Sequence, residues 1–350
     1  MTSSPTRTVS DADRAQLTPV SLLDMNYAFA RTAVLLAGVR LRLFTHLAGK
    51  ALTAHELAMA AGTRPGPTER FLNVLVALGL VERSGETYRL AAMADLFLVE
   101  GKPTYLGGDT LAMVDYLPAW LELHHTIAVG EPYRDLGTPA TAAAFFAPRV
   151  RDLFPLVYPI AVRMALALNI TASTTDLQVL DVGAGSGAWS AAIAQRYLCA
   201  QITAIDLPEV VAEGRRQIEE LGLADRYVWA AADALTEPLP PNTYHLALVA
   251  HLCRFIGERR SRELFRRLYS SLRPGGTLVV ADVLPLDDRS GPLFTLMLDL
   301  SMLVNTAEGR TFTFQEFATW LNEAAFQEVH QLDVAAPSPL IVARKGGTCS

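Results

Sequence analysis

The run Val179-Leu180-Asp181-Val182-Gly183-Ala184-Gly185-Ser186-Gly187 constrains this chain more than any other stretch, because a short apolar segment ends there in glycines at every second position. Followed by the alanine-rich segment Ala188 to Leu198, it reads as a buried strand, a tight turn and a helix. Glycine removes the side chains that keep a ligand off the backbone, and the helix N-terminus behind the turn offers amide groups and a partial positive charge. The pattern predicts a nucleotide-like ligand seated on an α/β sheet.

Two later segments also end a strand-like run in an acid: Ile202-Thr203-Ala204-Ile205-Asp206-Leu207-Pro208 and Trp229-Ala230-Ala231-Ala232-Asp233-Ala234. With Asp181 this places three acids at three successive strand ends, which line one crevice in a doubly wound parallel sheet. Gly183-x-Gly185-x-x-Ala188 also satisfies the looser dinucleotide fingerprint, so a nicotinamide-dependent oxidoreductase is the competing reading of the glycines alone. Three carboxylates suit the amino, ribose and adenine groups of one ligand and would repel a pyrophosphate.

In the order of its glycine turn and acids the chain resembles the class I S-adenosylmethionine-dependent methyltransferases. The resemblance implies S-adenosylmethionine as cofactor and S-adenosylhomocysteine as product. It places Asp206 on the ribose hydroxyls and Asp233 on the adenine amine, and completes the cofactor site with Asp181, Gly183, Gly185, Gly187, Leu207 and Ala234. Downstream, strands over 246–250 and 277–281, a helix over 258–272 and the turn Arg273-Pro274-Gly275-Gly276 continue the α/β alternation. A further apolar helix over 293–303 and a capped helix near 313–325 follow. Terminal strands over 328–334 and 340–343 predict an antiparallel hairpin at the sheet edge.

Upstream, apolar positions recur at helical spacing from Leu22 to Gly38 in a charge-poor segment that needs a partner. A short helix over 41–47, a helix capped by Thr53 with Glu56 three residues on, a helix over 67–80 and a hairpin over 81–90 complete a winged-helix plan. Its candidate recognition helix carries Glu69 beside Arg70 and otherwise Phe71, Leu72, Val74, Leu75 and Leu78, a core stripe instead of a base-reading face. A winged helix followed by the glycine turn resembles the O-methyltransferases of plant and bacterial secondary metabolism, in which this first domain dimerises. That resemblance implies a tail over 1–17, a winged-helix dimerisation domain over 18–104, a helical connector over 105–172 and a catalytic domain over 173–350. It also implies an acceptor pocket lined by Trp120 and His124 of the connector and by Met297, Asp299, Met302 and Asn305 of the apolar helix. Asp299, set among leucines and methionines, needs a partner if it is buried.

The catalytic pair departs from the family. The base histidine follows the fourth strand in a segment typically ending His-Asp-Trp, and here Val249-Ala250-His251-Leu252-Cys253-Arg254-Phe255 puts Arg254 in its place. Arginine has no acceptor atom and stays protonated, so it is no general base. His251 is the nearby candidate for proton transfer, and Arg254 suits an anionic substrate gripped by a bidentate ion pair. The acid that would orient the base is equally absent, with Gly309 or Thr311 at its place. Methylation of oxygen is the default chemistry and methylation of carbon the next. The Arg254 replacement also admits a cofactor-binding enzyme that transfers no methyl but cyclises, decarboxylates or hydroxylates, and the winged helix admits a ligand-responsive regulator.

Composition bounds the rest. A chain of 350 residues, 51% hydrophobic and with a net charge of −6, buries a large core in two domains and lacks the basic face that nucleic acid requires. Cys199, Cys253 and Cys349 are too few and too scattered for a disulfide framework or a thiolate metal site. The polar start to Leu17 shows no signal segment, and no stretch approaches the roughly 20 consecutive apolar residues of a membrane span. These features predict a cytoplasmic protein, and the resemblance implies a homodimer acting on a small molecule.

Overall fold

The computed structural model describes residues 18–168, 170, 176–336 and 339–347; the expected tail and Cys349 lie outside them. The chain divides into two compact units, Met1–Leu111 and Ala112–Ser350.

The first unit runs α1 (Val20–Arg40), α2 (Leu43–Leu47), β1 (Leu52–Thr53), α3 (Ala54–Ala61), α4 (Pro65–Ala77), β2 (Val81–Ser84), β3 (Thr87–Leu90) and α5 (Ala92–Phe97). Thr53 caps α3 in a capping box, its hydroxyl accepting from the Glu56 amide at 3.2 Å while the Glu56 carboxylate accepts from the Thr53 amide at 2.7 Å. α4 starts at Pro65, earlier than the sequence pattern predicts, because a proline in the first turn loses no hydrogen bond. Its Leu72 and Leu75 are fully buried beside Leu43, Phe44, Leu47, Leu57 and Tyr88, so the stripe on this helix is core. The strands form a sheet in the order β1-β3-β2.

α1 differs from expectation. Its 21 residues are long and apolar enough to cross a membrane by length and composition, although no such segment was anticipated. Val20, Leu22, Leu23, Met25, Tyr27 and Phe29 are each more than half exposed.

α6 (Gly107–Leu121) spans the division. The second unit continues with α7 (Leu123–Val129), α8 (Pro139–Phe146), α9 (Phe154–Ala167), β4 (Leu177–Val182), α10 (Ala188–Arg196), β5 (Ala200–Asp206), α11 (Pro208–Glu220) and β6 (Tyr227–Ala231). Then come β7 (Tyr244–Ala250), α12 (Cys253–Ser271), β8 (Leu272–Ala281), α13 (Leu293–Asn305), α14 (Phe314–Glu323), β9 (Phe326–Leu332) and β10 (Leu340–Lys345).

Seven strands form one sheet in the order β6-β5-β4-β7-β8-β10-β9. β4 pairs in parallel with both β5 and β7, and β10 runs antiparallel between β8 and β9. The chain therefore winds outward in both directions from β4, and the strand ends beside β4 form the crevice where such sheets take ligands. Two apolar layers cover the faces, one built on Val179, Trp189, Ile193 and Ile218, the other on Leu180, Val182, Phe265 and Trp320.

Two segments depart from the sequence reading. The predicted turn at 273–276 belongs to β8: Tyr244 opposes Leu272, and Leu246 then opposes Thr277, so those four residues bulge out of the ladder. α12 starts earlier than predicted, at Cys253, and is broken at Gly257, whose φ of 78° and ψ of 175° lie outside helical space. A Cβ there would stand 2.7 Å from the Glu308 carbonyl oxygen.

Candidate active site

The glycine turn joins β4 to α10, and Gly183, Gly185 and Gly187 have φ of +67°, +55° and +74°, a region side chains disfavour. A Cβ on each would meet protein atoms: Leu252 at 3.3 Å from Gly183, Val150 at 3.0 Å from Gly185 and Ile218 at 2.9 Å from Gly187. These glycines serve backbone conformation and close packing, and the room made for a ligand is not where their side chains would have been. Nor is the turn a free anion site as its sequence suggested. The Gly183 and Ala184 amides donate to the Ile205 carbonyl at 2.9 and 3.2 Å, Gly185 to Asp206 Oδ2 at 2.7 Å and Gly187 to the Ala184 carbonyl at 2.8 Å. A pyrophosphate would find these four amides taken, which weakens the dinucleotide reading.

Sequence reading missed Gly214. It lies on α11, where a Cβ would sit 2.5 Å from the Gly185 carbonyl oxygen and 2.5 Å from Trp229, so this helix packs its backbone onto the turn. A glycine inside the helical pattern Val210 to Ile218 was the available signal.

The three acids do gather at the crevice end of the sheet. Asp181, in β4, is 1% exposed, and neither carboxylate oxygen has a hydrogen-bond partner among the described residues. Burial pushes its carboxyl up to about 7; nearby Ser190 opposes the shift, and Asp206 adds to it. Asp206 closes β5 and clamps the turn, its Oδ2 accepting from Gly185 and its Oδ1 from the Leu207 amide, each at 2.7 Å. Burial raises it to about 6 against those two amides. Asp233 lies two residues beyond β6 and accepts from the Leu235 amide at 2.9 Å; Ala234 beside it is buried.

At the next strand ends lies a cluster that the sequence showed only in part. Arg254 Nη1 donates to Asp282 Oδ1 at 2.6 Å and to His251 Nδ1 at 2.8 Å, and the Arg254 amide donates to Asp282 Oδ2 at 3.3 Å. The ion pair is sequestered, with the two side chains 14% and 3% exposed. Asp282 went unnoticed although it follows β8 as Asp206 closes β5, the same strand-end signal. Arg254, expected to grip an anionic substrate, pairs here with Asp282, while its buried Nε has no hydrogen-bond partner among the described residues. The expected base, His251, meets an obstacle too, because its Nδ1 accepts from a guanidinium that is always a donor.

The acceptor-lining candidates separate. Trp120 is half-buried near the end of α6, while His124 is exposed on α7 beyond a break in the helix, its Nδ1 3.3 Å from the Leu121 carbonyl. On α13, Met297 is exposed and Met302 buried. Asp299 finds its partner in Thr311, whose amide and hydroxyl donate to Asp299 Oδ1 at 2.5 and 2.8 Å. Asn305 is fully buried and committed to protein: Arg134 Nε donates to its Oδ1 at 2.6 Å, and its Nδ2 donates to the Ser301 carbonyl at 2.8 Å. Asn305 thus pins the connector to α13.

A doubly wound sheet in this order, with acids at its strand ends and an antiparallel hairpin, defines a class I S-adenosylmethionine-dependent methyltransferase. The orphaned Asp181 carboxylate fits such a cofactor, whose sulfonium and ammonium groups are cationic. Comparison with known proteins narrows the class. Residues 158–327 match the O-methyltransferase domain and residues 23–100 the O-methyltransferase dimerisation domain. The tetracenomycin polyketide synthesis 8-O-methyl transferase TcmO of Streptomyces glaucescens is 32% identical over 337 residues, 93% of this chain and 97% of that protein. The 3-hydroxy-5-methyl-1-naphthoate 3-O-methyltransferase of Streptomyces sahachiroi is 29% identical, over 91% of this chain and 92% of that one. The crystal structure of human N-acetylserotonin methyltransferase in complex with S-adenosylmethionine shares the fold, with a TM-score of 0.81 at 24% identity over 98% of this chain and 100% of that chain. The chain belongs to the S-adenosylmethionine-dependent O-methyltransferase family, and its N-terminal unit carries that family's dimerisation domain.

Proposed function

We propose that this enzyme O-methylates a small aromatic, polyketide-like metabolite as a soluble cytoplasmic homodimer. The observation that carries the reading is the crevice beside β4, where a turn of internally bonded amides meets an unpartnered buried carboxylate. The two bacterial relatives, named for polyketide and naphthoate acceptors, support a planar phenolic substrate. The match to the dimerisation domain begins within α1, which supports a second copy as the cover of its apolar face.

Bound S-adenosylmethionine supplies an electrophilic methyl group. With that cofactor bound, Asp206 would accept from the ribose hydroxyls while holding the glycine turn, Asp233 would accept from the adenine amine, with Leu207 and Ala234 nearby, and Asp181 would answer the cationic end. Trp120 and Met297 contribute apolar surface to the acceptor. Incubation with S-adenosylmethionine and a panel of hydroxynaphthoates and hydroxyanthraquinones should release S-adenosylhomocysteine in step with a product heavier by one methylene. Absence of the coproduct with every acceptor would overturn the reading.

Arg254, at the position of the family's base, favours a second reading in which the cofactor is bound but not consumed. Product formed without S-adenosylhomocysteine would establish it.

A further inference from the structure

We propose that Arg254 and Asp282 are positioning residues that lock His251 as a neutral ring protonated on Nε2, a hydrogen-bond donor and not a base, so that the acceptor is an acidic phenol that ionises to water. The locked tautomer stands on the geometry alone, while its chemical meaning rests on the O-methylation reading.

The order of contacts fixes the proton. Arg254 donates through Nη1, 2.8 Å from His251 Nδ1, and a guanidinium has no acceptor. Nδ1 therefore presents its lone pair, and in a neutral imidazole the proton sits on Nε2. Asp282 holds the arginine in place with two contacts, at 2.6 Å from Nη1 and 3.3 Å from the backbone amide. Asp282 is in turn fixed by the Val283 amide at 2.8 Å.

His251 is held at its backbone as well as at its ring. His251 adopts a left-handed φ of 57°, which side chains disfavour, and its amide donates to the Ala281 carbonyl at 2.7 Å. The Trp189 ring stands 5.9 Å away, tilted by 60°. Arg254 and Asp282 are the charged groups that face it. Burial, then Arg254, push the His251 ring down to about 4, against a smaller upward pull from Asp282. A base in this position would need a second ring proton on the nitrogen that already faces a fixed positive charge.

Removing the base shifts the burden to the acceptor. Its O–H proton leaves to water before transfer; the oxygen lone pair then forms the O–C bond as the C–S bond breaks, with that electron pair passing to sulfur. An Nε2–H donor that reached the acceptor oxygen would favour the phenolate over the phenol, as preorganised donors do wherever negative charge resides. A phenol conjugated to an electron-withdrawing carbonyl meets this requirement, and an alkanol does not.

The decisive experiment is ¹⁵N-resolved NMR of the histidine rings of the full-length enzyme saturated with S-adenosylhomocysteine, with His251 assigned by loss of its signals in His251→Gln. The expected result is one Nε2–H tautomer from about pH 5 to about pH 8, the span in which an unperturbed histidine changes charge. In Arg254→Met the ring should titrate within that span, because Asp282 alone then faces it. In Asp282→Asn the ring should stay neutral, since Arg254 keeps its charge. A wild-type ring that gains its second proton in this range, or that carries its proton on Nδ1, overturns the proposal whether or not either variant folds. The readout needs no acceptor, so it fails separately from the methyl-transfer reading.

Discussion

Alanine at Gly214 should weaken this protein, although alanine is normally the better helix residue. Gly214 lies inside α11 without a left-handed φ, so the substitution brings the helix-propensity gain of about 1 kcal/mol. Against that, the new Cβ would stand 2.5 Å from the Gly185 carbonyl oxygen and 2.5 Å from Trp229. The carbonyl belongs to a turn that three further backbone hydrogen bonds and Asp206 hold in place, so α11 must move instead. Overpacking of this kind costs about 1–3 kcal/mol, and two immovable neighbours put it in the upper half, for a net loss of about 1–2 kcal/mol. Because α11 starts directly after Leu207, its displacement also shifts the Asp206 clamp, and S-adenosylhomocysteine affinity should fall about tenfold, the equivalent of about 1.4 kcal/mol. Urea unfolding and calorimetric titration of the coproduct measure the two effects. Gly66, in the first turn of α4 with no non-neighbouring atom within 4 Å of its would-be Cβ, is the control: the entropic gain of alanine there is offset by the crowding of its Cβ against Pro67, and stability should change by less than about 1 kcal/mol. Equal behaviour of the two variants, or an unchanged affinity in Gly214→Ala, would refute the packing account.

Three other outcomes are expected. Burial raises Asp181 from 3.8 to about 7, so its contribution to stability is full below about pH 4 and is lost as pH rises through about 7; Asp206, raised to about 6, acts with the same sign. Asp181→Asn should flatten part of that slope in urea midpoints measured across pH, and an unchanged slope would contradict a carboxyl whose titration burial has raised. Tyr227→Phe removes the 3.0 Å bond to Ser190 Oγ, while Ser190 keeps its 3.3 Å bond to the Gly187 carbonyl; the loss should be about 0.5–1.5 kcal/mol in chemical denaturation, and a neutral result would mean that the bond adds nothing. Paired substitution of Met25 and Phe29 by lysine should convert a dimer to a monomer in light scattering, and an unaffected dimer would move the interface off α1.

What could be read from the sequence was whatever its own neighbourhood encodes. The glycines at 183, 185 and 187 announced a turn because positive φ is a local demand, and Thr53 with Glu56 announced a helix start because the capping box closes within three residues. The strand-end acids were legible for the same reason, each carried by the apolar run before it. Relations across the chain were not legible. Asn305 looked like a pocket residue, yet its amide is spent on Arg134, 171 residues away. Asp299 needed a partner that only the fold supplies, in Thr311. Gly214 carried no local reason to be glycine, since its constraint is a carbonyl in another element. The same limit explains why Arg254 read as a vacancy in the family's machinery. From the sequence it was a lost base; in the fold it is the middle of a chain from Asp282 through Arg254 to His251, and its charge is already answered before any substrate arrives. A substitution that looks like loss at one position acquires its meaning from two residues that no alignment of that segment includes together, which is why the protonation state of His251 tells more about this active site than the identity of residue 254.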